Sequence, residues 1–150
     1  MRLWSCFIAL ILVVLNAGCG GSNNTVTNVG LFGDWNVTMY PTGSTTPVYV
    51  FGLAMSQEGS SNYSGGSIAY TGGVAVPSNM CINANALSAT ATTSGNNFTM
   101  TVTDSTSETV ITVHGTLATQ NGSSLSGTYS NSASRTCSAS SGTVSMIPQQ

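Results

Sequence analysis

The chain has 150 residues, of which 41% are apolar and 4% charged, with a formal net charge of −2. That length is about one domain's worth. Two basic residues in the whole chain exclude the cationic footprint of a nucleic-acid-binding protein and a polybasic membrane patch.

The N-terminus opens with Met1-Arg2 and continues from Leu3 to Leu15 as an apolar run broken only by Ser5. Such a run, about 13 residues, is too short to span a bilayer as a helix, which takes roughly 20. It fits the apolar region of a secretory signal, commonly about 7–15 residues. Small residues Ala17 and Gly18 lead to Cys19. This junction resembles the lipobox of bacterial lipoproteins, although Asn16 stands where an aliphatic residue is usual. The resemblance implies that residues 1–18 are a removed signal peptide, and that Cys19 is acylated and holds the chain on a membrane. Glycine rather than aspartate follows Cys19, which by the same resemblance points to the outer membrane of a Gram-negative bacterium. The alternative is an ordinary cleaved signal with an incidental cysteine. Residues 19–30 read as the lipidated cysteine and a polar tether; Gly20–Val29 lacks periodicity, and ten flexible residues reach about 18 Å. The folded domain is expected over 31–150.

Without residues 1–18, four acids (Asp34, Glu58, Asp104, Glu108) and one base (Arg135) remain. Cys6 leaves with the signal. Cys81 and Cys137 are then an even pair in an exported chain, and a disulfide is expected. Closing a loop of about 57 residues, it contributes roughly 4 kcal/mol in the chain-entropy model. Thiolate ligation of a metal lacks the CxxC spacing and a nearby His, so no metal or cofactor is expected.

Period-two alternation dominates the rest and predicts strands. The first is Asp34–Tyr40, with Trp35, Val37 and Met39 on one face. The second, Val48–Gln57, turns Tyr49, Phe51, Leu53 and Met55 inward; the third, Tyr63–Thr71, is expected to turn Ile68 and Tyr70 inward. Ala86–Thr93 offers Leu87, Ala89 and Ala91, and Asn97–Thr103 offers Phe98, Met100 and Val102. Thr109–Thr119 brings Ile111, Val113 and Leu117, Ser123–Ser130 brings Leu125 and Tyr129, and Ser141–Ile147 brings Val144 and Met146. The opposite faces are mostly Ser and Thr, which suit solvated strand positions. Asn121-Gly122, Ser94-Gly95-Asn96 and Glu58-Gly59 read as turns.

Eight short antiparallel strands with one apolar face each predict an all-β, up-and-down barrel; a two-sheet β-sandwich is the alternative. In a meander, connections 1–2, 3–4, 5–6 and 7–8 share one end. Cys81 and Cys137 fall in connections 3–4 and 7–8, so the expected disulfide is compatible with this order. These are also the longest loops, which makes that end the mouth and the other the base.

Gly33-Asp34-Trp35 at the start of strand 1 resembles the first strand of lipocalins and of the avidin family. The resemblance implies a lipocalin-like barrel with Trp35 plugging the base. No arginine lies in strand 8 to cover that tryptophan, and the later tryptophans that stack on biotin in avidins are missing, so biotin is not expected.

The leading functional expectation is a lipid-anchored envelope barrel. It would bind a small or apolar ligand, or a partner, through Tyr40, Tyr49, Met80, Asp104, Glu108 and Arg135 at the mouth, facing away from the membrane. The alternative is a structural or adhesive module with a filled core, working through its Ser/Thr-rich outer face. An enzyme is not expected: His114, the single histidine, shares the outward parity of Thr112 and Thr116. Asp104 and Glu108 bracket a turn, the usual place for solubilising acids.

Overall fold

Alternating apolar and hydroxyl side chains become eight antiparallel strands. The structure is a computed structural model and describes residues 30–117 and 124–150. The strands are β1 (Gly33–Pro41), β2 (Tyr49–Gln57), β3 (Asn62–Ile68), β4 (Leu87–Ser94), β5 (Asn97–Asp104), β6 (Val110–Thr116), β7 (Leu125–Asn131) and β8 (Ser140–Pro148). Each pairs with its chain neighbours, and β8 returns to β1, with Val37 opposite Met146. Closure leaves no open edge strand, and it settles barrel against sandwich. The signal segment, Cys19 and the tether, and the Asn121-Gly122 turn, lie outside the described residues. So do the predicted strand residues 118, 119 and 123.

One core fills the barrel from end to end. At the base, Leu31 is fully buried and accepts a hydrogen bond from the Trp35 indole at 2.9 Å. Tyr63, Phe98 and Leu125 are buried with them, and Val37, Met39, Phe51, Met100, Val102, Val113 and Met146 complete the interior. The β4–β5 hairpin pairs Ser94 with Asn97, so its loop is Gly95-Asn96. Gly95 takes φ 58°, which a glycine adopts without steric cost.

Bulk on one strand is matched by its absence on the next. A Cβ at Gly115 would lie 2.6 Å from the Phe98 ring, and one at Gly65 would lie 2.6 Å from the Met55 sulfur. Overpacking a filled core costs about 1–3 kcal/mol. Gly115→Val is therefore expected to lower stability by about that much, read as a shift in urea midpoint; an unchanged midpoint would mean that free space surrounds Phe98.

Strand 3 departs from its expected facing. Ser67 pairs with inward Leu53, and Ile68 pairs with Gly52 on the outer side. The inward set is thus Tyr63, Gly65 and Ser67; β3 ends at Ile68, and Tyr70 lies in the following loop. Opposite bulky Met55 and Leu53 the inward positions are small, so the apolar residues of this strand mark the wrong face.

That following loop, residues 69–86, folds back over the outside of the barrel. The Thr71 N–H donates to the Asn36 side chain at 3.0 Å, and the Val50 N–H points to the Met80 sulfur at 3.2 Å. Asn36, Thr38 and Val50 face outward by strand parity yet are buried.

Candidate functional site

The mouth is the expected place for a ligand, and the β1–β2, β3–β4, β5–β6 and β7–β8 connections do meet at one end. Three of them knit into a closed cap. The Cys81 and Cys137 sulfurs stand at disulfide distance, 2.12 Å, with Cα atoms 5.2 Å apart. Thr136 Oγ1 donates to the Cys81 carbonyl at 3.0 Å. Beside the bridge, Ile82 inserts into the core, 6% exposed.

Asp104 sits at the centre of the cap and is 1% exposed. It continues the inward parity of Phe98, Met100 and Val102 and pairs with Leu87. Its carboxylate accepts the Asn83 N–H at 2.8 Å, the Thr106 N–H at 2.8 Å and the Ser107 hydroxyl at 2.6 Å. One side chain thereby ties the β3–β4 loop to the β5–β6 turn. Glu108 in that turn takes φ 57°. The Thr109 and Ser134 hydroxyls bond at 2.8 Å, and Ser134 Oγ accepts the Cys137 N–H at 3.2 Å. The β7–β8 loop is joined in this way.

Burial favours the neutral carboxyl, but the hydrogen bonds from Ser107, Asn83 and Thr106 outweigh it and hold Asp104 below its ordinary 3.8. A carboxylate lowered on folding stabilises the fold above its unfolded pKa, and that contribution is lost as pH falls through the folded value. The cap is therefore expected to loosen below about pH 4. Asp104→Asn should flatten the acid limb of stability against pH and raise amide exchange at Asn83 and Thr106. An acid limb identical to wild type would remove Asp104 from the cap.

Tyr49 is also spent internally. Its hydroxyl donates to Asn131 Oδ1 at 3.2 Å, and its ring meets Tyr129 edge-on with centroids 5.9 Å apart. Asn131 Nδ2 in turn donates to the Ser138 carbonyl at 3.0 Å, and Tyr129 pairs with Ser140 at 2.7 Å. Burial, then the neighbouring Tyr129, pushes the Tyr49 phenol up; burial pushes up Tyr129 against the opposing Ser140 bond. Among the described residues, no buried side-chain polar atom lacks a partner.

Of the six expected ligand residues, the structure brings Tyr49 and Asp104 to the mouth and occupies both with protein, while Met80 lies on the loop that covers β2, its sulfur 3.2 Å from the Val50 N–H. Glu108 and Arg135 are exposed on the loops, and Tyr40 lies half-buried on the outer face of β1 opposite Thr143. The expectation that Asp104 solubilises a turn is corrected by its burial. His114 is exposed, as expected, with Nδ1 3.1 Å from the Thr99 hydroxyl. Sequence reasoning missed Ile82, Asn83 and Asn131, the residues that join the cap to the barrel. Asn131 had a signal, because it continues the parity of Leu125 and Tyr129.

The fold and the mouth together define a class: an eight-stranded up-and-down barrel whose mouth is closed by its own disulfide-linked loops. No protein-family model, curated protein or solved structure matches the chain. Among the described residues, no three His, Cys, Asp or Glu side chains come together to hold a metal, and no helix is long and apolar enough to cross a membrane.

Proposed function

We propose that this chain is a non-enzymatic, lipid-anchored module of the cell envelope whose barrel is filled by its own side chains and which works through its outer wall. The observation that carries the reading is the saturated cap: Tyr49, Ile82 and Asp104 fill the mouth, and their polar groups bond to protein. A ligand pocket instead keeps a few polar groups free to orient its guest. The lipobox-like Leu15–Cys19 stretch supports anchoring through Cys19, in the outer membrane of a Gram-negative host. Leu31 lies at the base beside Trp35, so anchoring through the residues before it would leave the wall and the mouth clear of the bilayer.

A second reading has one observation in its favour. Ile82 comes from a loop rather than a strand, so part of what fills the mouth is removable, and a small apolar ligand could replace it.

Titration with an environment-sensitive apolar dye and with a fluorescent fatty acid separates the two. The filled module is expected to give no saturable signal and no shift in melting temperature. Stoichiometric uptake with a raised melting temperature would establish the ligand-binding reading. Anchoring has its own check: palmitate incorporation in an expressing host should be lost in Cys19→Ala, with the protein released from membranes. Label retained in that variant would reject lipidation at Cys19.

A further inference from the structure

The outer wall of β4 to β8 has a composition unlike an ordinary protein surface. Its outward positions are Ser or Thr throughout, apart from Asn97, Val110, His114 and Ile147. None is Asp, Glu, Lys or Arg, whereas roughly a quarter to a third of a typical surface is charged. Strand pairing sets these hydroxyls in rows, for example Thr92, Thr99, His114, Thr128 and Thr143 across five strands. Neighbours within a row are about 4.8 Å apart, and successive rows on one face about 6.7 Å apart.

The wall is also grooved. A shallow groove of about 740 Å³ runs across β5 to β8. One side is the row Thr99, His114, Thr128 and Thr143, and the other includes Asn97 and Thr116. Its floor is backbone at Gly115 and Gly127, which pair with each other. A Cβ at Gly127 would meet the His114 carbonyl, so the two strands approach too closely there for a side chain. A second depression of about 490 Å³ adjoins it, sharing His114, Thr128 and Thr143 and extending to the Pro41–Ser44 turn.

We propose that this grooved hydroxyl wall binds a neutral glycan. Charge decides the class of partner. A nucleic acid or an anionic lipid surface would find no Lys or Arg here, and the apolar area of the groove, at Phe98, Gly115, Gly127 and Val144, lies between rows of hydroxyls, as the C–H faces and hydroxyl edges of a sugar ring require. Ser and Thr hydroxyls each donate and accept, as do the hydroxyls of an uncharged sugar. The rows present such groups at a repeat of a few ångströms over a length that takes several sugar units. This proposal rests on the outer-wall reading above and names its partner.

The test is native affinity electrophoresis of the mature chain in gels containing dextran, hydroxyethyl cellulose or galactomannan, with dextran sulfate as the charged comparison. Wild type is expected to be retarded by at least one neutral polymer and not by the sulfated one. Thr128→Glu and Thr143→Glu, both exposed, should weaken retardation about tenfold or more with unchanged melting temperature. Ser60→Glu, in the β2–β3 turn at the base, should leave it intact. Retardation undiminished in the two groove variants, or seen only with dextran sulfate, overturns the proposal. Passage of wild type unretarded through all the neutral gels overturns it too. If that protein also takes up no apolar dye, the glycan assignment alone falls and the filled-barrel reading stands; stoichiometric dye uptake removes both.

Discussion

The Cys81→Ser/Cys137→Ser double variant is expected to lose about 4 kcal/mol of stability relative to wild type. The bridged residues are 56 apart in sequence, so the bond excludes many unfolded conformations that the reduced chain regains. Against a total of about 5–15 kcal/mol for a domain, that is a large share. Reductant added to wild type should reproduce the shift in urea midpoint. The structural consequence should be local. Residues 69–86 and 132–139 have few ladder hydrogen bonds and are held by the bridge, by Asp104 and by Thr136. Amide exchange should rise there first and leave β5 and β6 protected. Uniform loss of protection across all strands would show that the bridge holds the whole barrel rather than its cap.

The second large effect is expected at the base. Trp35→Ala should cost about 3–5 kcal/mol, the range for truncating a large aromatic in a packed core. Trp35 is 3% exposed, among Leu31, Tyr63, Phe98 and Leu125 in the same core. Truncation also leaves the Leu31 carbonyl without its indole donor. Trp35→Phe keeps most of the apolar area and loses the hydrogen bond, so it should cost distinctly less. Trp35 is the single tryptophan after residue 18, so unfolding of both variants must be followed by circular dichroism. A cost below about 1 kcal/mol for Trp35→Ala would mean that the base is not plugged by this side chain.

Six strands, β1 and β4 to β8, are legible because one physical pattern, apolar inward and polar outward, runs through them nearly unbroken, and β2 is legible from its inward Tyr49, Phe51, Leu53 and Met55. Phe98, Met100 and Val102 with Thr99 and Thr101 between them leave one arrangement open. Strand 3 was misread because packing put small residues, Gly65 and Ser67, where Met55 and Leu53 supply the bulk; alternation then has nothing to mark. The loop over the outer wall was not foreseen, although β2 carried a trace of it. Tyr49, Val50 and Phe51 are apolar at consecutive positions, the mark of a strand buried on both faces, and loop 69–86 is what covers the second face. Asp104 was assigned to solvent by its type and its place beside a turn. Its parity assigned it to the interior, and parity prevailed because backbone and hydroxyl donors were there to satisfy the carboxylate. The closing of the mouth depends on contacts among three loops distant in sequence, which no local pattern encodes.

The protein's own side chains occupy the interior of the barrel. Native mass spectrometry of the chain from Gly20 onward, exported to a bacterial periplasm and purified without detergent, is the sharpest check on that occupancy. The expected result is a bare mass, two hydrogens light for the Cys81–Cys137 bond, unchanged after incubation with the lipid and small-molecule fractions of a cell extract. A discrete non-covalent adduct of small apolar mass, lost on unfolding, would contradict it and would identify the barrel as a carrier.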